Sequence, residues 1–565
     1  MERYQTLGDE NIKQEFIEEH CLRLEKWFNP EGKFVYHGTE PGTRERIWNC
    51  FSLMSHDDKK YHQLAEQIIV NTPLDSNAFT PGASAELFLR HRERLSEASK
   101  KHLKYLMYKH MGNLIDIRFS NPGTNNFSTK TTLLLLAASQ ILDGYEHQHE
   151  LATIPQVYSH HRLRDIGKNG VYSMAYVDER REVFDEWNSP TYSPISALAL
   201  AGIVDLIDDE EIKEIALKME LKLWRELLAM FHPELSIPCG PYSRSYRVDI
   251  LGQNSNLKLL MIYLGLAKEK SIVKQFDESR PGLCLHHDHD IPFNWAQQAW
   301  DIAGKYHVPE DALEELRNRT YPHKFTASTK WPKTGFIENK KFFPVQGDLF
   351  PAGKGEISQT QGANWSIGFR SDGLPRAHCF PGMFHYATKP KVKEMDDVRS
   401  VTLGTIFYTE PTEWVLDADG RKVDDTNFNN EGKVLVNSSD DGKTLNFEGS
   451  YFPEFAEVPS NELSFNSFIP LHFGEVDSVT MNGKEFAGEP IIEKGSKAVF
   501  KIKDAGFEYE ISYEFDQEVE LKLFRWCNFI RMSGFWYQGE NKEFTPDFLG
   551  KLKVNAEFKL TECAK

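Results

Sequence analysis

Near Tyr321 the hydrophobic period of the chain changes, and this constrains the fold more than any other feature. Upstream, apolar residues recur at helical spacing; downstream they alternate. In Glu10–Phe28 the residues Ile12, Phe16, Cys21, Leu22, Leu24 and Trp27 fall at helical positions, and Asn29, Pro30 and Gly32 follow as a turn. Further helices are predicted over Arg44–Leu53, Lys60–Val70, Ala83–Leu95, Ala98–Leu114, Pro194–Ile207, Glu210–Phe231, Ile250–Leu266, Pro292–Tyr306 and Pro309–Asn318. Ser128 is expected to cap an almost wholly apolar helix over Thr131–Leu142, and Gly170–Val183 alternates weakly, which predicts a hairpin or extended rim. Beyond Tyr321, period-two runs at Arg399–Tyr408, Glu413–Leu416, Lys433–Asn437, Leu463–Leu471, Ala498–Ile502, Phe507–Glu514 and Val519–Phe524 read as strands. Asp-Gly or Asn-Gly turns stand at 419–420, 441–442 and 482–483. The expected architecture is α then β: an (α/α) toroid over 1–320, followed by an antiparallel β-sandwich over 321–565.

Several function classes are excluded or disfavoured. The formal charge of −18 disfavours nucleic acid as a partner. No apolar run approaches the roughly 20 residues of a membrane span. Seven cysteines, odd in number and without a Cys-x-x-Cys pair, argue against a disulfide framework or a zinc knuckle. The first residues lack the basic start and apolar run of a signal peptide, so a cytoplasmic setting is expected. Gly-x-Gly-x-x-Gly, phosphate-loop, Gly-x-Ser-x-Gly and His-Glu-x-x-His motifs are missing, so no cofactor or metal is expected. The run His286–Asp290 has no helical His-x3-His spacing; His287 is a rim candidate rather than a metal ligand. A homo-oligomer is left open.

Chemistry concentrates in two loops that each lead into an apolar helix. The first, Glu182–Tyr192, holds Asp185, Glu186, Trp187 and Tyr192; the second, Cys239–Asp249, holds Tyr242, Arg244, Tyr246, Arg247 and Asp249. Carboxylates supply acid and base, Trp and Tyr stack on sugar faces, and Arg reads a carboxylate bidentately. A carboxyl beside Trp187 and Tyr192 would have its charged form disfavoured, which suits Glu186 as a general acid. The bland readings are that Asp185 and Glu186 decorate a helix N-terminus and that Asp249 is an N-cap. Asn125 and Asn126, in the loop Phe119–Phe127, offer amides to sugar hydroxyls or form a plain turn. Gln361, Asn364, Trp365, Arg370, Arg376, His378 and His385 either close over a cleft or belong to the β core. The loops 119–128, 185–192 and 240–249 each precede an apolar helix, so they are expected to converge on one rim.

Trp-Asn-Ser-Pro-Thr-Tyr (187–192), followed by Gly-Pro-Tyr-Ser-Arg-Ser-Tyr (240–246), resembles carbohydrate-active proteins built from an (α/α) toroid and a β-sandwich. These include glycoside hydrolase family 154, a β-glucuronidase family, and more distantly the heparinase and chondroitin lyase-like polysaccharide lyases. The resemblance implies a carbohydrate substrate, here a uronic-acid-containing oligosaccharide, and the missing leader favours a small, imported one. Three readings stand. A hydrolase would use Glu186 and Asp249 as its carboxylates, with Arg244 or Arg247 on the uronate. A β-eliminating lyase would use Tyr246 or a histidine as base, with Asn126 and Arg244 neutralising the carboxylate. A glycan-binding protein would need aromatics and amides more than paired acids.

Overall fold

The computed structural model describes residues 2–36, 40–74, 78–120, 125–142, 160–245, 255–276, 291–329, 355–371, 380–411, 430–452, 458–471 and 474–562. The first part is helical. It comprises α1 (Glu10–Trp27), α2 (Thr43–Ser55), α3 (Lys59–Val70), α4 (Thr80–His91), α5 (Glu97–Ser120), α6 (Asn126–Ile141), α7 (His160–Asp178), α8 (Ser193–Leu206), α9 (Glu210–Met230), α10 (Asn256–Tyr263), α11 (Ile291–Asp301) and α12 (Glu310–Arg317). Strand β1 (Tyr4–Leu7) pairs antiparallel with β4 (Tyr306–Pro309), and β2 (Phe231–His232) pairs with β3 (Ile237–Pro238). Acidic side chains start several of these helices: Asp9 accepts from Asn11 and Ile12, Asp58 from Lys60, and Asp209 from Ile212.

The helices meet in a recurring way. α2 packs on α4, α4 on α6, α6 on α8, α8 on α10, α10 on α11, and α11 back on α2. α3, α5, α7 and α9 pack on α2, α4, α6 and α8 respectively. α8 is buried from Ser193 to Ile203 and α10 along its whole length, as helices ringed by other helices must be. Among the described residues no helix is long and apolar enough to cross a membrane.

Two local expectations change. The hairpin predicted over Gly170–Val183 is instead the end of α7 and the turn after it. Leu163, Gly167, Gly170, Val171, Met174 and Asp178 are its buried positions among the described side chains, a helical stripe that the glycines disguise. A Cβ on Gly167 would lie 2.8 Å from Leu136 Cγ, so the glycine lets α7 close on α6. Ser128 does not cap the next helix; Asn125 does, its side chain accepting from the Ser128 N–H at 3.0 Å.

After α12 the described residues are mostly strand. It forms β5 (His323–Ser328), β6 (Glu356–Gln361), β7 (Trp365–Arg370), β8 (Gly382–Ala387), β9 (Val398–Phe407), β10 (Lys433–Ser438), β11 (Thr444–Ser450), β12 (Ser460–Pro470), β13 (Ser478–Met481), β14 (Lys484–Glu485), β15 (Ile491–Asp504), β16 (Phe507–Trp526), β17 (Phe529–Lys542) and β18 (Lys553–Glu562). In place of two separate sheets, the described residues form one 14-stranded antiparallel sheet, with main path β10-β11-β18-β16-β17-β12-β9-β8-β7-β6-β5. It folds over, bringing β10 against β7 and β9. The predicted strands Phe507–Glu514 and Val519–Phe524 are one continuous element, β16. Large apolar cores fill the helical part and the sheet, and smaller clusters join them.

Candidate functional site

The N-termini of five helices are linked by side-chain and backbone contacts into one rim. Thr43 of α2 and Thr80 of α4 share a hydrogen bond at 3.0 Å. Phe79, which caps α4, and Phe127 on α6 have ring centroids 6.1 Å apart. Asn126, the first residue of α6, reaches Glu186, and Ser193 at the start of α8 donates from Oγ to the Glu186 carbonyl at 3.1 Å. The Leu257 N–H of α10 donates to the Pro190 carbonyl at 3.0 Å. Unpaired N–H groups and aligned peptide dipoles make such ends positive. Such ends favour an anion through their dipoles, against a net chain charge of −18.

Glu186 is at its centre. One carboxylate oxygen accepts from the Asn126 backbone N–H at 2.8 Å, both accept from Asn126 Nδ2 at 2.8 Å, and Oε1 accepts from Arg244 Nη1 at 2.6 Å. All these partners are donors, so the carboxyl serves them as an acceptor. The Glu186 side chain is 7% exposed and that of Arg244 35%, so the arginine is the open member of the pair. The Arg244 guanidinium lies over the Tyr192 ring, 4.2 Å from its centroid, which leaves Tyr192 a platform for Arg244. Two further basic side chains stand beside these groups. Arg44 lies over Phe79 and Trp48 and pairs with Glu45, and Lys130 Nζ sits 3.0 Å from the Phe79 centroid and 4.1 Å from that of Phe127.

Buried contacts from distant segments fix both loops. Asn188 adopts a positive φ of 44°, and its Nδ2 donates to the carbonyls of Cys239 at 2.8 Å and Pro241 at 3.0 Å, tying one loop to the other. Glu226 on α9 accepts from the N–H groups of Phe184 at 2.9 Å and Asn188 at 3.0 Å. The sheet holds the second loop: Gln359 Nε2 donates to the Cys239 and Gly240 carbonyls, both at 2.8 Å, and the Gly240 N–H donates to His385 Nε2 at 2.9 Å. Burial pushes His385 down to about 3, which leaves its ring free to accept that proton. Gly368 is required there, because a Cβ would lie 2.1 Å from the Gly240 carbonyl oxygen. His385 therefore grips the loop instead of covering a cleft, and Gln361 stands behind Gln359, donating to its Oε1 at 2.6 Å.

Glu226 gives a pH test of this scaffold. Burial raises its carboxyl to about 7, against the two N–H groups that favour the charged form. An acid raised on folding lends stability below its unfolded value and loses it as pH climbs through the folded one. Unfolding free energy is expected to fall by roughly 3 kcal/mol between about pH 4.5 and 7. Glu226→Gln should flatten that decline, as denaturant titrations of both proteins would measure.

The structure brings Asn126, Glu186, Tyr192 and Arg244 together, as expected of the converging loops. It does not bring Trp187 or Tyr242 to the rim. Trp187 is fully buried among Val183, Met230, Ala327 and Ile357, so it has no face for a sugar. Tyr242 is buried with Phe380, Met383, Phe407, Phe468 and Phe529, and its hydroxyl donates to the Pro238 carbonyl at 2.8 Å. Asp185 pairs with Arg181. Tyr246, Arg247, Asp249 and His287, with the His286–Asp290 run, lie outside the described residues. Lys130, Arg44, Asn188 and Glu226 were not singled out from sequence. The one signal for Lys130 is a charge four residues after Asn126 in a helix with no other charged residue.

A family described as a domain of unknown function, DUF8769, matches residues 164–299, which include Glu186, Tyr192 and Arg244. No curated protein matches the chain. Among solved structures, a heparinase III with methylated lysines is similar at 10% identity and a TM-score of 0.33, over 98% of this chain and 85% of that one.

Proposed function

We propose that the chain is a carbohydrate-active enzyme acting on uronic-acid-containing saccharides, with Glu186 as a catalytic carboxylate and Arg244 as the reader of the uronate. The observation that carries this is the Asn126–Glu186–Arg244 cluster at a rim of helix N-termini. Dipoles and a half-open arginine select an anion, and a carboxylate 2.6 Å from that arginine is within reach of whatever it binds. The ring of helix contacts supports a closed (α/α) toroid for residues 1–320, with the sheet of 321–565 packed beside it.

Hydrolysis is the first reading of the chemistry. It needs a second carboxylate about 5 Å from Glu186 for retention or roughly 6.5–9.5 Å for inversion, and Asp249 is our candidate. Since Glu186 accepts from every partner, its role is base or nucleophile, and the acid falls to the second group. Elimination is the second reading, favoured by the wealth of donors: Arg244 and Asn126 would neutralise the uronate carboxylate while Tyr246 takes the C5 proton. Incubation with uronate-capped oligosaccharides separates the two. Free uronic acid without new ultraviolet absorbance means hydrolysis, and absorbance from a new C=C bond means elimination. Binding without any product would leave a glycan-binding protein.

Arg244 also sets specificity in this reading. Arg244→Lys keeps the charge but loses the planar fork and its stacking on Tyr192. The variant is expected to lose roughly 10- to 100-fold in kcat/KM on a uronate substrate. On the matching neutral glycoside it should change little, so kinetics on the two substrates check the role.

A further inference from the structure

We infer that Lys130 is a second recognition residue for the substrate's carboxylate, and that it takes up a proton when that carboxylate binds. The inference rests on the anionic-substrate reading above and assigns a residue to it. Lys130 is 3% exposed, and Nζ has no hydrogen-bond partner among the described residues. Its nearest neighbours are the faces of Phe79 and Phe127, both only partly buried. Asn126 precedes it by one turn of α6, so the two side chains share the face that meets Glu186.

An amine without a partner is destabilising in such a place, and an aromatic cage favours only its protonated form. The site therefore holds part of what an ammonium needs and lacks the counter-anion. Glu186 does not fill that role, because Arg244 and Asn126 occupy its oxygens. Arg44, from α2, opposes a charge on Nζ and is itself paired with Glu45. From α4 the neighbouring groups are Phe79 and Thr80, and Glu86 further along is held by Arg90 and Trp300. The first turn of α8 offers Ser193 and Ser196, without charge. Burial accordingly pushes the amine well below the ordinary lysine value, with Glu186 opposing that shift. A carboxylate drawn to the rim by Arg244 supplies the missing charge. The neutral amine then takes one proton from the buffer acid, –NH2 plus BH⁺ giving –NH3⁺ plus B, and no other bond changes.

Calorimetry on the full chain tests this, with D-glucuronate and D-glucose as probes, in buffers of different ionisation enthalpy between about pH 6 and 9. The wild type should bind glucuronate with uptake of up to about one proton and glucose with none. Lys130→Met, which keeps the chain's volume in the cage, should lose the uptake and bind glucuronate roughly 10- to 100-fold more weakly. Lys130→Arg, charged at every pH used, should bind without uptake. Glucuronate binding by the wild type without proton uptake, or equal uptake in Lys130→Met, overturns the role of Lys130 and leaves the functional reading standing. Failure of the folded wild type to bind glucuronate overturns that reading and this inference together. If Lys130→Met does not fold, the proton uptake of the wild type decides.

Discussion

Glu186→Gln is expected to lower turnover by roughly 10²- to 10⁴-fold, the ordinary worth of a lost acid or base group. The amide keeps the shape of the side chain but carries one acceptor oxygen where two are used. Its NH2 would face either Arg244 Nη1 or the Asn126 amide, donor against donor. Binding should survive, since the variant frees Arg244 for the substrate; KM on a uronate is expected to hold or fall while kcat drops. Steady-state kinetics beside a thermal unfolding curve separate loss of chemistry from loss of fold. Near-full activity would remove Glu186 from the reaction. Elimination with Tyr246 as base would then be the better account, and Tyr246→Phe the next variant.

The largest effect on stability is expected in the sheet. Arg531 on β17 and Glu462 on β12 pair with side chains 1% and 0% exposed. Arg531 also donates to Asn466 Oδ1 from Nε at 3.0 Å and from Nη2 at 2.9 Å. The rings of Phe407, Phe468, Phe524 and Phe535 surround the guanidinium at 5.1–5.7 Å. Arg531→Met leaves a buried carboxylate without its cation, and breaking such a pair costs about 3–5 kcal/mol. The double variant Arg531→Met, Glu462→Leu removes both charges and should recover most of that loss, because apolar replacement of a whole buried pair is near neutral. Chemical denaturation of wild type, single and double variants measures both steps.

Local features of the fold were legible and closures were not. α1 to α4 could be read because their apolar positions fall on one stripe or fill a short segment. α7 was not, since the glycines that let it approach α6 carry no apolar signal. β16 was read as two strands because Asp516, Gln517 and Glu518 are exposed and polar, although the strand continues through them. The same division runs through the site. Glu186, Arg244 and Asn126 announced themselves by residue type in loops that precede helices. Trp187 and Tyr242 looked alike as loop aromatics, and only the sheet, contributed from more than a hundred residues away, decides that both are covered. Glu226 and Asn188 work by closing long loops, which residue type does not reveal.

The grip of the sheet on Cys239–Pro241 bears on how this protein can be inherited and rebuilt. Main chain lies against main chain where Gly240 meets Gly368, with Gln359 and His385 pinning the same segment. A helical half transplanted onto another sheet would carry Arg244 on a segment without its anchors. The two halves are therefore one unit of recombination, and chimaeras with related chains should keep β6 to β8 from the same parent as the loop they hold.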